Sequence, residues 1–381
     1  MNGWRNMASA LGVFLLLFAA GCWDRQEIEE RTSVVAVALD QSKEGKGLLR
    51  LTVQIPIPKK IAGSGASGGA GGGGREAVRV MSATGYTLSE ASRNLQKRLN
   101  QEIFYGHTRI IAVGEDLARE GIDTVVDALR RTPQIRRLLW PVVVKGEALQ
   151  LLQSNPRLEQ IPMMYLMDLL NNNAKMGTIP DVSLGRFFIH LSDSSREPGM
   201  NMVEATSDEV KWVGLAIFEE SKMIGQLDPR EVVSLLQIRD EKIGGTIEGA
   251  CEGEGGKKVA FSPKTIKTEK KYRKRAGEMG VQVKVRLEGD IMESQCSTDL
   301  AKQETLRDIQ MELEAEMEQR ADRLLRHLQK EVKQDLFAFG MDIRAKHPDW
   351  WDPKKWEEEF LNMKMDVKYE ILIRRTGMEM R

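Results

Sequence analysis

Val281-Gln-Val-Lys-Val-Arg-Leu287 alternates apolar and polar side chains without a break. A period of two puts every second residue on the same face, so the stretch predicts a strand with one buried and one wet face. Its continuation to Met292 and the extended segment from Lys257 to Ile266 read the same way. Downstream the period changes. From Gln303 to Leu336 the residues Leu306, Ile309, Leu313, Met317, Ala321, Leu324, Leu328, Val332 and Leu336 recur at steps of three or four, the spacing of one helix face. At 1.5 Å per residue such a helix is about 50 Å long. Acidic residues from Glu304 to Glu318 crowd its first half and basic residues from Arg320 to Lys333 its second, which suits the helix macrodipole. The apolar steps drift rather than repeat every seven, so the pattern predicts a helix lying across a sheet and not a coiled coil.

Outward from this core, Val213 to Phe218 reads as a strand, and Pro229 to Ile238 as a helix with Asp228 as its cap. The first half alternates strands and helices. Strands are expected at Thr32 to Leu39, Leu48 to Ile57, Thr108 to Val113 and Leu138 to Lys145. Helices are expected from Thr87, where Glu90 completes a capping box, at Thr124 to Arg131 with Asp123 as cap, at Glu147 to Gln153, and between Gln160 and Leu170. Trp350, Trp351, Trp356 and Phe360 precede a final strand, Met363 to Arg374. The expected fold class is mixed α/β (α+β) and multi-domain, with largely antiparallel sheets flanked by helices and one long amphipathic helix in the C-terminal half. The polar stretch 193–210 reads as a linker between an N-terminal α/β domain, 22–192, and a C-terminal α/β domain, 211–381. A split of the second near Glu293 would make three domains in all.

Composition removes several functions. Fifty-six Lys+Arg balance 56 Asp+Glu over 381 residues, so no overall cation excess recommends nucleic acid as a partner. Of the four histidines, His107, His190, His327 and His347, none stands in HExxH or Cys/His ligand spacing. No nucleophile-base or paired-carboxylate constellation emerges, so catalytic, cofactor-binding and metal residues are all read as none, and the chain as no enzyme. Gly63-Ser-Gly-Ala-Ser-Gly68 fits GxGxxG and Gly65-Ala-Ser-Gly-Gly69 fits GxSxG. Both chemistries need a strand entering the glycines and a helix leaving them. Here prolines precede and more glycines follow, which makes 63–74 a flexible low-complexity loop. Two basic clusters, Arg130/Arg131/Arg136/Arg137 and the run from Lys264 to Arg275, read as solvated faces or as membrane or partner contacts.

The N-terminus reads as an address. Arg5 is followed by an uncharged apolar run from Ala8 to Ala20, too short to span a membrane and typical of a signal peptide, 1–21. The small residues Ala19-Ala20-Gly21 before Cys22 resemble the bacterial lipobox, with Ala19 where Leu is usual. That resemblance makes Cys22 the lipidated N-terminus of the mature chain, an N-palmitoyl and S-diacylglycerol cysteine, and two or more acyl chains anchor stably. Cys251 and Cys296 then remain. In an exported chain they could form a disulfide or stay free thiols, and sequence spacing does not decide between the two.

Gly21-Cys-Trp-Asp-Arg-Gln-Glu-Ile28 resembles the opening of the spore-germination nutrient-receptor C-subunit lipoproteins, the Ger(x)C family. Further blocks follow in order: Thr52-Val-Gln-Ile-Pro56, Gly85-Tyr-Thr-Leu-Ser-Glu-Ala91, Phe104-Tyr-Gly-His107, Ile110-Ile-Ala-Val-Gly-Glu115 and Leu117-Ala-Arg-Glu-Gly121. In the second half come Gly214-Leu-Ala-Ile-Phe218 with Gly225-Gln-Leu-Asp228, Asp335-Leu-Phe-Ala-Phe-Gly340, Pro348-Asp-Trp350 and Trp356. Gln226, Ala338 and the glycine insertion at 63–74 depart from the family pattern. The resemblance implies a non-enzymatic subunit, bound to the membrane through its lipid anchor, on the outer face of the spore inner membrane. It also implies two integral-membrane germination receptor subunits as partners and three α/β domains. It carries over no ligand residues and leaves a small-molecule ligand open, since Gly85, Gly340 and the tryptophans look structural. The alternative is a solute-binding lipoprotein that delivers a small ligand to a membrane permease. That reading requires two comparable lobes with continuously apolar parallel strands, which the alternating strands of the second half disfavour.

Overall fold

The computed structural model describes residues 4, 31–57, 77–193, 195–239, 242–251, 254–275, 277–297 and 299–376. The signal segment, Cys22 and the glycine-rich loop 63–74 lie outside them. In chain order the strands are β1 Arg31–Ser33, β2 Ala36–Gln41, β3 Leu49–Pro56, β4 Val78–Gly85, β5 Glu102–Phe104, β6 Ile110–Gly114, β7 Trp140–Val144, β8 Gly199–Ala205, β9 Val210–Glu219, β10 Lys222–Leu227, β11 Ile247–Ala250, β12 Lys258–Arg275, β13 Glu278–Ser294 and β14 Lys364–Arg375. The α-helices are α1 Leu88–Gln96, α2 Glu115–Glu120, α3 Asp123–Arg131, α4 Ala148–Gln153, α5 Pro162–Met176, α6 Leu184–His190, α7 Pro229–Arg239, α8 Gln303–Arg326, α9 Phe339–Lys346 and α10 Trp356–Asn362.

Among the described residues, one sheet has eight strands in the order β10-β9-β8-β7-β6-β2-β3-β4, and a second has four, β11-β12-β13-β14. A short parallel pair, β1 with β5, stands beside the first. The flanks of the large sheet are antiparallel, while β2, β6, β7 and β8 form a parallel block at its centre. Every residue of β6 and β7 is buried, as expected for parallel strands with helices on both faces. One face packs on α1, α3 and α6 through Leu95, Val125 and Phe187. The other packs on α4 and α5 through Leu151, Leu166 and Leu170. Asp40 of β2 is buried, and its carboxylate accepts from the Ala148 N–H at 2.6 Å and the Leu149 N–H at 3.0 Å, capping α4 from across the sheet. Both expected caps form, although the Glu90 carboxylate accepts from the Tyr86 N–H at 2.8 Å and not from that of Thr87. Thr87 accepts from the Glu90 N–H, and Asp228 from the Arg230 and Glu231 N–H groups while Glu231 accepts from the Asp228 N–H.

Several expected boundaries differ. The linker expected at 193–210 contains β8, and the large sheet runs on to Leu227, so the strands after the polar stretch complete the first half's sheet. Glu293, the expected second split, lies inside β13. Asp123 is the first residue of α3 rather than its cap. The long helix stays α-helical only to Arg326. It continues as a π-helical turn, His327–Val332, and ends at Lys333, whose φ of 62° breaks it before Leu336. The basic run from Lys264 to Arg275 is the extended end of β12, paired along its length with β13.

Strand β9 joins the halves. Ala216 and Phe218 belong to the core beneath α1, α3 and α6, whereas Leu215 and Ile217 point into a second core made with α7, α8 and the four-stranded sheet. A bulge sets this phase. Trp212 lies opposite Val203 and Gly214 opposite Met202, which leaves Val213 unmatched. Gly214 has φ 143°, and a Cβ there would lie 2.0 Å from the Leu227 carbonyl oxygen, so the bulge needs glycine.

Two sheet edges are closed by side chains. Along β14, Glu314 of α8 accepts the Ile371 N–H at 2.8 Å, Glu318 accepts the Tyr369 N–H at 3.2 Å, and Gln310 donates to the Ile371 carbonyl. Along β4, Asn94 of α1 donates to the Thr84 carbonyl at 2.9 Å, and Arg98 just past that helix donates to the Ser82 carbonyl at 2.7 Å. The spacing fits because four helical residues rise about 6 Å and two strand residues about 6.7 Å. Replacing Glu314 by Ala leaves a strand N–H without its partner and should cost about 1–2 kcal/mol in urea denaturation. Gln319→Ala at an exposed position of the same helix should stay within about 0.5 kcal/mol. Equal effects of the two would refute the edge-closing role.

Candidate functional site

Where β8 and β9 meet the C-terminal half, a cleft opens with two chambers of about 400 and 430 Å³ that share His190, Arg196 and Glu197. Burial of Leu184, Phe187 and Phe188 fixes α6 against the large sheet, which turns Arg186 and His190, one helical turn apart, toward the cleft. The following segment supplies Arg196 and Glu197, the end of α7 supplies Arg239, and Lys242 follows it. From the other side the chain leaving the π-helical turn brings Lys333 to Leu336, and α10 brings Trp356 and Glu357.

Charge is sorted between the chambers. Arg186, Arg196, Arg239 and Lys242 line the first, against Asp181 and Glu197. Glu197, Glu219, Asp335 and Glu357 meet in the second, with Lys333 at hand. Burial, and then the neighbouring Asp335, Glu219 and Glu357 carboxylates, push Glu197 up to about 8. Burial also raises Asp335 to about 6, although the Gly340 and Phe339 N–H groups pull it back. His190 goes the other way, down to about 4, through burial and then the Arg196 and Arg239 charges. The Arg196 guanidinium can only donate, so in its 3.1 Å contact with His190 the imidazole Nε2 accepts and the ring is neutral. At neutral pH the cleft thus holds a protonated Glu197 beside an uncharged histidine.

The residues singled out from the sequence have these places. Cys251 and Cys296 come together at the mouth of the second sheet, their Cα atoms 5.5 Å apart and their sulfurs joined. Cys22 is not among the described residues. Arg130 and Arg137 both lie over the Phe188 ring, at 4.9 and 4.8 Å, and Arg131 pairs with Asp127. Within β12, Lys270 and Lys274 turn to Asp342 and Glu359, while Lys271, Arg273 and Arg275 are exposed on the wet face. His107 meets Ser33 Oγ at 3.1 Å, His327 bonds Glu231, and His347 stacks on Trp350. Among the described residues no His/Cys/Asp/Glu group is arranged to hold a metal ion, and no helix is long and apolar enough to cross a membrane. A Cβ on Gly340 would lie 2.7 Å from Trp356 Nε1, and one on Gly85 2.5 Å from the Ala91 nitrogen, so both glycines permit close packing. The cleft itself was missed, because Arg196 and Glu197 sit in the stretch taken for a linker.

Two family models cover almost the whole chain. The spore germination protein N-terminal domain matches residues 24–205, and the spore germination B3/GerAC-like C-terminal domain matches 213–377. The chain belongs to this spore germination family. Among curated relatives of this Ger(x)C member, spore germination protein KC of Bacillus subtilis (strain 168) is 26% identical over 396 residues, covering 98% of this chain and 96% of the relative. Spore germination protein YndF of the same organism is 26% identical over 387 residues, with 96% and 94% covered. Spore germination protein GerQC of Bacillus cereus is 22% identical over 370 residues, with 96% and 98% covered. The crystal structure of the GerBC protein has the same fold, with a TM-score of 0.57 at 20% identity over 88% of this chain and 96% of that one.

The cleft makes the stability of this family member depend on pH. Above the ordinary carboxylate range the unfolded chain releases the Glu197 proton while the folded chain keeps it, so stability falls as pH rises toward 8. His190 acts on the acid side, where stability falls as pH drops below 6.5 toward 4. Between pH 7 and 8 the wild type should lose up to about 1.4 kcal/mol in denaturant melts, and Glu197→Gln should remove that slope while leaving the acid limb intact. An unchanged alkaline slope in the variant would show that Glu197 is not the group responsible.

Proposed function

We propose that the chain is the lipid-anchored, non-enzymatic C subunit of a spore nutrient-germinant receptor. In this reading it acts with two integral-membrane subunits on the outer face of the spore inner membrane. The observation that carries the reading is the coincidence of Gly21-Cys22 after a short apolar segment with a chain that, from residue 24 onward, matches both halves of the family. The anchor gives the arrangement physical sense. A body tethered beside its membrane partners meets them at a high effective concentration, so contacts too weak to bind from solution suffice. Export also accounts for the cysteines, since a bridge between Cys251 and Cys296 persists in an oxidising compartment and ties the end of β11 to the segment between β13 and α8.

Two measurements test these proposals. Mild-detergent extracts of spore membranes containing a C-terminally tagged chain should yield two polytopic germination subunits and a Cys22 bearing diacylglycerol and palmitate by mass spectrometry. Cys22→Ser should then appear in the soluble fraction. Recovery of a transporter with its ATPase, or an unmodified Cys22 in a membrane-bound chain, would overturn the reading. Denatured, unreduced mature chain should show no reactive thiol at Cys251 or Cys296, and two titratable thiols there would remove the bridge.

A further inference from the structure

Two of the cations lining the first chamber, Arg196 and Lys242, have no carboxylate partner among the described residues. Arg186 pairs with Asp181 at 2.9 Å. Arg196, half-buried in the cleft wall, gives its Nε to Met341 Sδ at 2.9 Å and its Nη1 to His190 Nε2 at 3.1 Å. A thioether and a neutral imidazole thus occupy donors whose planar fork matches carboxylate and phosphate oxygens. Lys242 lines the same chamber and has no ion pair or hydrogen bond among the described residues. Glu197 carries its proton at neutral pH, so it offers an O–H donor to the chamber in place of a negative charge. The space, about 400 Å³, lies in the range of small-molecule sites, roughly 300–1,000 Å³.

We propose that this chamber binds a small anion through a carboxylate or phosphate group held by Arg196 and Lys242, with Arg186 and Arg239 completing the positive wall. The site is independent of whether the chain is a receptor subunit. Burial and then the Arg196 and Arg239 charges keep the His190 imidazole neutral; an anion beside it would offset those charges, so binding takes up a proton and tightens as the solution becomes more acidic. The other titratable and charged groups facing His190 are Asp193 from its own loop, Arg186 from α6 and Arg239 from α7, and the anion adds to the single favourable charge among them.

Sulfate is the probe for the test, because its charge is fixed between pH 5 and 8. Calorimetric titration of the full-length chain in mild detergent should show saturable one-to-one binding that tightens from pH 7 to pH 5. Arg196→Gln and Lys242→Gln should each weaken it about tenfold or more, whereas Lys271→Gln on the wet sheet face should not change it. His190→Gln should keep binding at pH 7 and lose its pH dependence, a readout that a merely destabilised variant does not give. Displacement of sulfate by glycerol 3-phosphate supports a free solute as the anion, and displacement by short-chain phosphatidylglycerol alone supports a lipid headgroup. Absence of saturable sulfate binding, or equal affinity in the wild type and both cleft variants, overturns the proposal.

Discussion

The architecture turns on one strand serving two cores. Because successive side chains of a strand point to opposite faces, β9 can insert Ala216 and Phe218 into the core of the large sheet and Leu215 and Ile217 into that of the C-terminal half. The two halves are therefore joined by shared burial and not by a tether. The bulge at Val213 fixes the phase of this alternation, and a slip of one residue would carry each set into the wrong core. Gly214 is the chemical condition for that bulge, since the Leu227 carbonyl occupies the place of a side chain.

Shared burial also explains why a polar cleft exists at all. The apolar weld covers the inner faces of β9, α7 and α8, but the ends of α6 and α7 and the π-helical exit of α8 converge beyond it. Arg239 sits in the last turn of α7, where a helix C-terminus favours a cation, and Arg186 of α6, paired with Asp181, lines the same chamber. On the other side, Asp335 is held by the N–H groups of Phe339 and Gly340, and burial, reinforced by the Asp335 charge, keeps Glu197 protonated. Cationic and acidic chambers thus follow from where the helices stop.

Local periodicity makes much of this fold legible. Val281 to Leu287 and Leu306 to Leu328 announce their elements because each buries one face against a broad partner, and Thr87 and Asp228 mark helix starts because caps act over three residues. The strand β8 is not legible, since its Asn201 is buried on bonds to the Pro180 carbonyl and the Trp212 indole that no local pattern announces. Asp40 is a similar case, a buried acid whose partners at Ala148 and Leu149 lie more than a hundred residues away. The cleft is assembled from segments near 190, 240, 335 and 357, each unremarkable alone, and its chemistry exists only after folding. Family membership is legible for the opposite reason: its blocks are contiguous and keep their order.

The side chains that close β4 and β14 bear on how many copies of this chain can share a small area. An open strand edge is a template on which a neighbour's edge can add, and such sheet-to-sheet growth becomes faster as molecules are packed together. Asn94 and Arg98 on one rim, and Gln310, Glu314 and Glu318 on the other, already occupy the backbone groups that would begin it. Copies confined side by side can therefore collide along these rims without fusing into a continuous sheet.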